Sequence, residues 1–379
     1  MNPVFANLPT TIFETMSRLA REHDAVNLGQ GFPDDPGPED VRRAAAEAVM
    51  TGWNQYPPMM GLPVLREAIA EHYARFQELS LDPMSEVMVT SGATEAIAGA
   101  LLALIEPGDE VILFQPMYDA YLPLVRRAGG VPRLVGLTPP HWRITAEALE
   151  AVASPRTKAV LLNNPLNPSA TIFADEDLTA LAEFCVRRNL VVISDEVWEH
   201  VVFDGRPFRS LMTFPGMRDR VVKIGSAGKI FSLTGWKVGL VAAAPSLLSV
   251  LAKAHQFLTF TTPPNLQSAV AYGLRKEDGY FASMRAGLQR SRDRFAHGLS
   301  ALGYAVLPSS GTYFLNIDLA ASGVAASDRD FCLDLVARKR VAAIPVSAFY
   351  AQDAVTSIVR FCFAKRDEVL DTALERLAR

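Results

Sequence analysis

Between about residues 40 and 275, short β-branched runs alternate with stretches of helical period. This is the pattern of βαβ units around a largely parallel sheet. The runs EVMVT (86–90), EVILF (110–114), AVLLN (159–163), LVVIS (190–194), VVKIG (221–225) and VGLVAAA (238–244) predict strands. TEAIAGALLALI (94–105) and DEDLTALAEFCVRRN (175–189) predict helices. The second opens on acids and closes on bases, as the helix macrodipole favours. After about residue 280 the pattern changes. An amphipathic helix in MRAGLQRSRDRFAHGLSALG (284–303) leads to shorter elements and a last helix in RDEVLDTALERLAR (366–379). The Pro- and Gly-rich segment LGQGFPDDPGPED (28–40) is too irregular for either core and predicts an arm or a substrate-side loop. The expected division is an N-terminal arm over 1–40, a large α/β domain over 41–279 and a small α+β domain over 280–379.

Length supports two packed regions, because 379 residues exceed the usual size of one hydrophobic core. With 49% apolar and 21% charged residues the chain is an ordinary globular protein, and disorder is not expected. The net charge of −4 and the lack of any block of five or six like charges exclude a nucleic-acid arm and favour small soluble partners. Cys185, Cys332 and Cys362 lie far apart without a CxxC spacing, against a disulfide framework or a thiolate metal site. No metal is expected. The N-terminus lacks a basic-then-apolar leader, and no apolar run approaches the ~18 residues of a membrane span. A cytoplasmic protein, neither exported nor embedded, is expected.

Several familiar motifs fail on inspection. GQGFPD has Asp34 at the last glycine position of GxGxxG, and no strand precedes it. SAGKIF is not a P-loop, since Lys223 occupies the first glycine position and Ile230 the Ser/Thr position. HExxH and GxSxG are absent.

Position is more informative, because ligands of open parallel α/β sheets sit outside the carboxyl ends of the strands. EVMVT is followed by Ser91, Gly92, Ala93 and Thr94, opening a helix whose first N–H groups form an anion site. Tyr118 follows EVILF, Asn167 lies in the proline-flanked turn after AVLLN, and Asp195 follows LVVIS. Ser226 and Lys229 follow VVKIG. Singly, these read as an N-cap, a packed ring, a turn residue, a cap and a snorkelling lysine. Together they supply donors for a phosphate, a stacking face, an amide, a carboxylate and an amine, the set that pyridoxal 5′-phosphate requires. A Schiff base also explains how Lys229 stands amid apolar and small residues, because its nitrogen then need not be an unpaired ammonium. In SIVRFCF (357–363), Arg360 interrupts an apolar alternation and must either form an internal ion pair or face a cavity.

The stretches NLGQGFPD, QYPPMMGLPVLREAIA, SGATEAI, NNPLNPSA, SDEVWEHVVF, SAGKIFSLTGWKVG and VRFCFAKRDE carry a resemblance. From about residue 25 to the C-terminus the chain resembles the class I aminotransferases of pyridoxal-phosphate fold type I. Within them it is most similar to the subgroup of kynurenine, glutamine and methionine aminotransferase-like enzymes. The resemblance implies a large α/β domain with a mostly parallel seven-stranded sheet and a small α+β C-terminal domain. It makes Lys229 the Schiff-base lysine, Asp195 the pyridinium partner, Asn167 the donor to the phenolic oxygen and Tyr118 the stacking ring. Gly92, Ala93, Ser226 and Lys237 would hold the phosphate, with Thr94 beside them. Tyr56 would reach over from the second subunit of a homodimer. Arg360 becomes the clamp for the substrate carboxylate, with Asn167 and Gly31 of the GQGFP loop beside it. Lys237 stands where the wider class commonly carries an arginine, although the kynurenine-type subgroup also uses lysine there, and three further positions depart from the pattern. Trp198 stands where most relatives carry a tyrosine, Ala170 where a glycine is usual, and Thr94 where some relatives place an aromatic residue.

The expected reaction moves an amino group between an L-amino acid of glutamine, methionine or aromatic type and a 2-oxo acid, with ping-pong kinetics. The same early carbanion can expel a group at Cβ, so a cysteine-S-conjugate β-lyase is the enzymatic alternative. It is recognised by release of pyruvate and a thiol. N-succinyldiaminopimelate is a further candidate donor. A cofactor-binding regulator would need a DNA-binding module of ~60–70 residues, for which the chain has no spare segment.

Overall fold

The computed structural model describes residues 1–378. Seven strands form the main sheet: β1 (Val87–Thr90), β2 (Glu110–Gln115), β3 (Val131–Gly136), β4 (Thr157–Asn163), β5 (Val191–Asp195), β6 (Val221–Ser226) and β7 (Gly239–Ala242). Their spatial order is β1-β7-β6-β5-β4-β2-β3. Only β7 runs against its neighbours β1 and β6. The carboxyl ends of the other six therefore share one edge, and the segment entering β7 arrives at that same edge. All six strands expected from the pattern are present. The seventh, β3, carries Pro132 and half-exposed residues, which hid it in the sequence. Proline lacks a ladder donor and is confined to edge strands, where β3 lies.

The central strands are almost wholly buried, because apolar layers cover both faces. Helix α1 (Ile12–Glu22) precedes the sheet, and α2 (Ala93–Leu104) starts directly after β1. Helix α3 (Asp175–Arg188) begins with Asp175, Glu176 and Asp177 and ends with Arg187 and Arg188, closed by Asn189 in the left-handed region at φ 53°. Buried Asp177 accepts from the Ala174 N–H and from Arg143, so the N-terminus of this helix is tied to the neighbouring loop.

A second, antiparallel sheet is built by β8 (Ala305–Val306), β9 (Phe314–Asp318), β10 (Ile344–Pro345) and β11 (Ile358–Cys362), in the order β10-β11-β9-β8. Arg360 lies in the middle of β11, opposite Asn316 and Ile344. The N-terminal segment joins this core. Met16 and Ala20 of α1 and Leu28 pack in one buried cluster with Phe314, Val341 and Phe361. Val26–Asn27 also pairs in parallel with Val341–Ala342. Residues 29–34 are thereby carried over the ends of the large sheet: the Asp34 N–H donates to the Ala364 carbonyl and Lys365 pairs with Asp34. No helix among the described residues is long and apolar enough to cross a membrane.

Candidate active site

A cavity of about 220 Å³ opens at the carboxyl edge of the large sheet. Ten residues singled out from the sequence line it: Gly92, Ala93, Thr94, Tyr118, Asn167, Asp195, Trp198, Ser226, Lys229 and Lys237. Each arrives by the chain reversal after a strand, or before β7 for Lys237, so the topology itself collects them.

Lys229 sits on the short helix α4 (Ala227–Ile230) that follows β6. Its Nζ donates to the Gly31 carbonyl at 3.3 Å and lies 4.4 Å from the Trp198 ring centroid. Burial pushes its pKa down to about 8, with Arg360 and Lys237 acting the same way and Cys362 and Asp195 opposing. Such an amine is far more available as a nucleophile near neutral pH than an ordinary lysine.

Asp195, the last residue of β5, is raised to about 6 by burial, against the Tyr121 hydroxyl, the Val197 N–H and Lys229. Tyr121 donates to Oδ2 at 2.5 Å. Asn163 completes this corner: its Nδ2 donates to the Asp195 carbonyl at 3.0 Å, and its Oδ1 accepts the Asn167 N–H at 2.8 Å. Tyr121 and Asn163 were missed in the sequence. Tyr121 lies three residues after Tyr118 and Asn163 ends AVLLN, so both carried a positional signal. The Tyr118 ring meets Tyr121 edge-on at 5.7 Å, and burial pushes the Tyr118 hydroxyl up to about 12.

At the other end of the cavity, Gly92 caps α2 at φ +86°, a conformation open to glycine. A Cβ here would stand 3.0 Å from Lys237 Cε and 3.2 Å from Nζ. The glycine thus leaves the lysine amine room over the helix N-terminus. Among the described residues Lys237 has no carboxylate within 4.0 Å, and the Ser226 side chain makes no capping bond. A cation and a free hydroxyl gathered at a helix N-terminus fit a phosphate. The residues present therefore fit pyridoxal 5′-phosphate at both ends.

Arg360 and Gly31 stand beside this cavity. Arg360 is buried, yet among the described residues no carboxylate lies within 4.0 Å of it, so the internal ion pair is excluded. Its Nη1 donates to Asn167 Oδ1 at 2.7 Å and its Nη2 to the Gly29 carbonyl at 2.9 Å, while Nε is buried without a partner. Phe314 lies 3.8 Å beneath the guanidinium, with Phe13 and Phe349 at 5.3 and 5.2 Å. Burial without an anion pulls the Arg360 pKa down, and the nearby Asp119 carboxylate opposes this. Gly31 is confined by the same ring, since a Cβ would meet Phe314 Cζ at 2.7 Å. Tyr56 is not at this site: it is 80% exposed, edge-on to Phe260 at 5.5 Å. Ala170 adopts φ +64°, the left-handed conformation for which glycine is the strain-free residue.

A mostly parallel seven-stranded sheet with an amine, a carboxylate and an anion nest at its carboxyl edge defines a pyridoxal 5′-phosphate enzyme of fold type I. The chain belongs to the family described as Aminotransferase class I and II, which it matches over residues 23–377. It is 44% identical over 380 residues to a probable N-succinyldiaminopimelate aminotransferase of Mycobacterium tuberculosis, covering 97% of this chain and 96% of that one. It is 41% identical over 370 residues to the methionine aminotransferase of Escherichia coli, covering 98% and 96%. A solved N-succinyldiaminopimelate aminotransferase from Mycobacterium tuberculosis superposes with a TM-score of 0.96 at 44% identity, covering 100% of this chain and 99% of the other. The protein is a pyridoxal 5′-phosphate-dependent transaminase.

Proposed function

We propose that the chain transfers the amino group of an L-amino acid with an uncharged side chain, of the methionine or glutamine type, to a 2-oxo acid. The observation that carries this reading is Arg360: a buried guanidinium with no carboxylate partner, held beside the Lys229 amine and ringed by Phe13, Phe314 and Phe349. A guanidinium fork matches an α-carboxylate, and the rings favour an apolar or thioether side chain. Asp119 adds negative charge near Arg360, which disfavours dicarboxylic donors. The 44% identical relative favours a second reading, N-succinyldiaminopimelate as the donor.

Pyridoxal 5′-phosphate supplies an aldehyde carbon for the amino group and a ring that accepts the electrons of the substrate Cα. Lys229 would hold the aldehyde, Asp195 the ring nitrogen, Asn167 the phenolic oxygen and Tyr118 the ring face. Gly92, Ala93, Ser226 and Lys237 would hold the phosphate, with Thr94 and Trp198 closing the wall. Tyr121 keeps Asp195 ionised, so the carboxylate can retain a proton on the ring nitrogen. Once released, the Lys229 amine stands between the Gly31 carbonyl and Trp198, placed to take the proton from the substrate Cα. Residues 29–31, anchored through Arg360 and Lys229, shield that amine from water.

The working unit is a homodimer in which Tyr56 reaches the neighbouring site. Trp53, Tyr56 and Phe257, at 76, 80 and 85% exposure, are large apolar side chains that a second copy would cover. Residues 41–279 and 280–379 act as its large and small domains, and the enzyme works in the cytoplasm, where Cys185, Cys332 and Cys362 stay reduced. A donor panel against one 2-oxo acid tests the specificity. Methionine or glutamine should bleach the visible band of the holoenzyme and aspartate should not; turnover confined to N-succinyldiaminopimelate would transfer the assignment to the second reading.

A further inference from the structure

The wall of the phosphate nest conceals a buried histidine–carboxylate pair. Glu95, in the first turn of α2, accepts the Ser91 N–H on Oε2 at 3.0 Å, immediately before Gly92. This places a carboxylate beside the helix N-terminus that would carry an anion, and two negative charges there repel. His255, in the last turn of helix α5 (Pro245–Leu258), answers it. His255 Nδ1 is 3.1 Å from each Glu95 oxygen, and Nε2 is 3.1 Å from the Met59 carbonyl. Its side chain is 1% exposed, that of Glu95 10%. The Met59 carbonyl only accepts, so Nε2 must carry a hydrogen to bond it, while Nδ1 faces both Glu95 oxygens and, at 3.3 Å, the Thr259 hydroxyl. Met59 lies three residues after Tyr56, so the imidazole also ties down the segment that presents that tyrosine.

Resting on the phosphate assignment above, we propose that His255 is a positioning residue: its charge neutralises Glu95, so that a phosphate monoester can bind beside a buried carboxylate. Removing the imidazole leaves that carboxylate uncompensated next to the phosphate, whereas removing both charges restores neutrality.

The test uses the full-length chain freed of cofactor, with dissociation constants measured for pyridoxal 5′-phosphate and for pyridoxal, which lacks the phosphate. His255→Gln should weaken pyridoxal 5′-phosphate about tenfold or more, by the loss of one charge-assisted contact, and leave pyridoxal within about twofold. The double variant His255→Gln, Glu95→Gln should regain most of the lost affinity. Glu95→Gln alone keeps an acceptor for Ser91 and serves as the folding control, checked by circular dichroism. Equal weakening of both ligands, unchanged affinity for both, or no recovery in the double variant would overturn the proposal. A wild-type chain that takes up no pyridoxal 5′-phosphate would instead defeat the functional reading beneath it.

Discussion

The Tyr121 hydroxyl donates to Asp195 Oδ2 at 2.5 Å, inside a corner where burial raises the Asp195 carboxyl to about 6. The tyrosine therefore holds as an anion a group that its surroundings press toward neutrality. Replacing Tyr121 by Phe should raise the Asp195 pKa by about one unit, since a hydrogen bond to a charged acceptor contributes about 1.5–3 kcal/mol. The acid limb of the pH–activity profile should move to higher pH, and an unmoved limb would remove Tyr121 from this role.

Asp195 itself costs the apoprotein stability. Its folded pKa, about 6, exceeds the unfolded value of 3.8. Between these values the folded state holds more protons, so stability falls as pH rises through that window and stays lower above it. Asp195→Asn should make the apoprotein more stable at pH 7.5, by about 1–3 kcal/mol, with the gain vanishing toward pH 4. Cofactor retention should collapse in the same variant. Thermal melts at the two pH values separate these effects.

For Lys229 the sign is reversed. Its folded pKa of about 8 lies below the unfolded 10.5, so the folded state holds fewer protons in between and stability rises with pH across that interval. An amine-reactive label applied to the apoprotein should modify Lys229 with a midpoint near pH 8. Peptide mapping reads the site; a midpoint above 10 would show an unperturbed lysine.

Arg360→Lys keeps the charge and loses the fork. One ammonium cannot serve Asn167 and the Gly29 carbonyl and also present two parallel donors to a carboxylate. For amino acids kcat/KM should fall about 100-fold or more, mainly through KM. Turnover of an amine lacking the carboxylate should change little, which separates a lost clamp from general disruption.

Trp198 offers Lys229 a ring face at 4.4 Å where a tyrosine would offer a hydroxyl. Trp198→Tyr should lower the pKa read from the pH-dependent absorbance of the holoenzyme by about one unit, because a donor to the phenolic oxygen favours its anionic form. A titration curve superimposable on that of the wild type would argue against this.

Six of the seven strands were legible in the chain because fully buried strands are written as short β-branched runs, and local composition carries that signal. The strand ends, and with them Lys229, Asp195, Asn167, Tyr118 and the Gly92 nest, were legible because a parallel sheet gathers its carboxyl ends at one edge whatever the details of packing. Strand β3 was not, because Pro132 and half-exposed positions on an edge erase the alternation. Contacts between distant segments needed the folded chain. Asn163 bridging Asp195 and Asn167, Arg360 left without a carboxylate, and His255 set between Met59 and Glu95 each join residues from different elements. Local sequence specifies which groups a strand end will present. Tertiary packing decides which of those groups find partners, and so which charges remain free for a ligand.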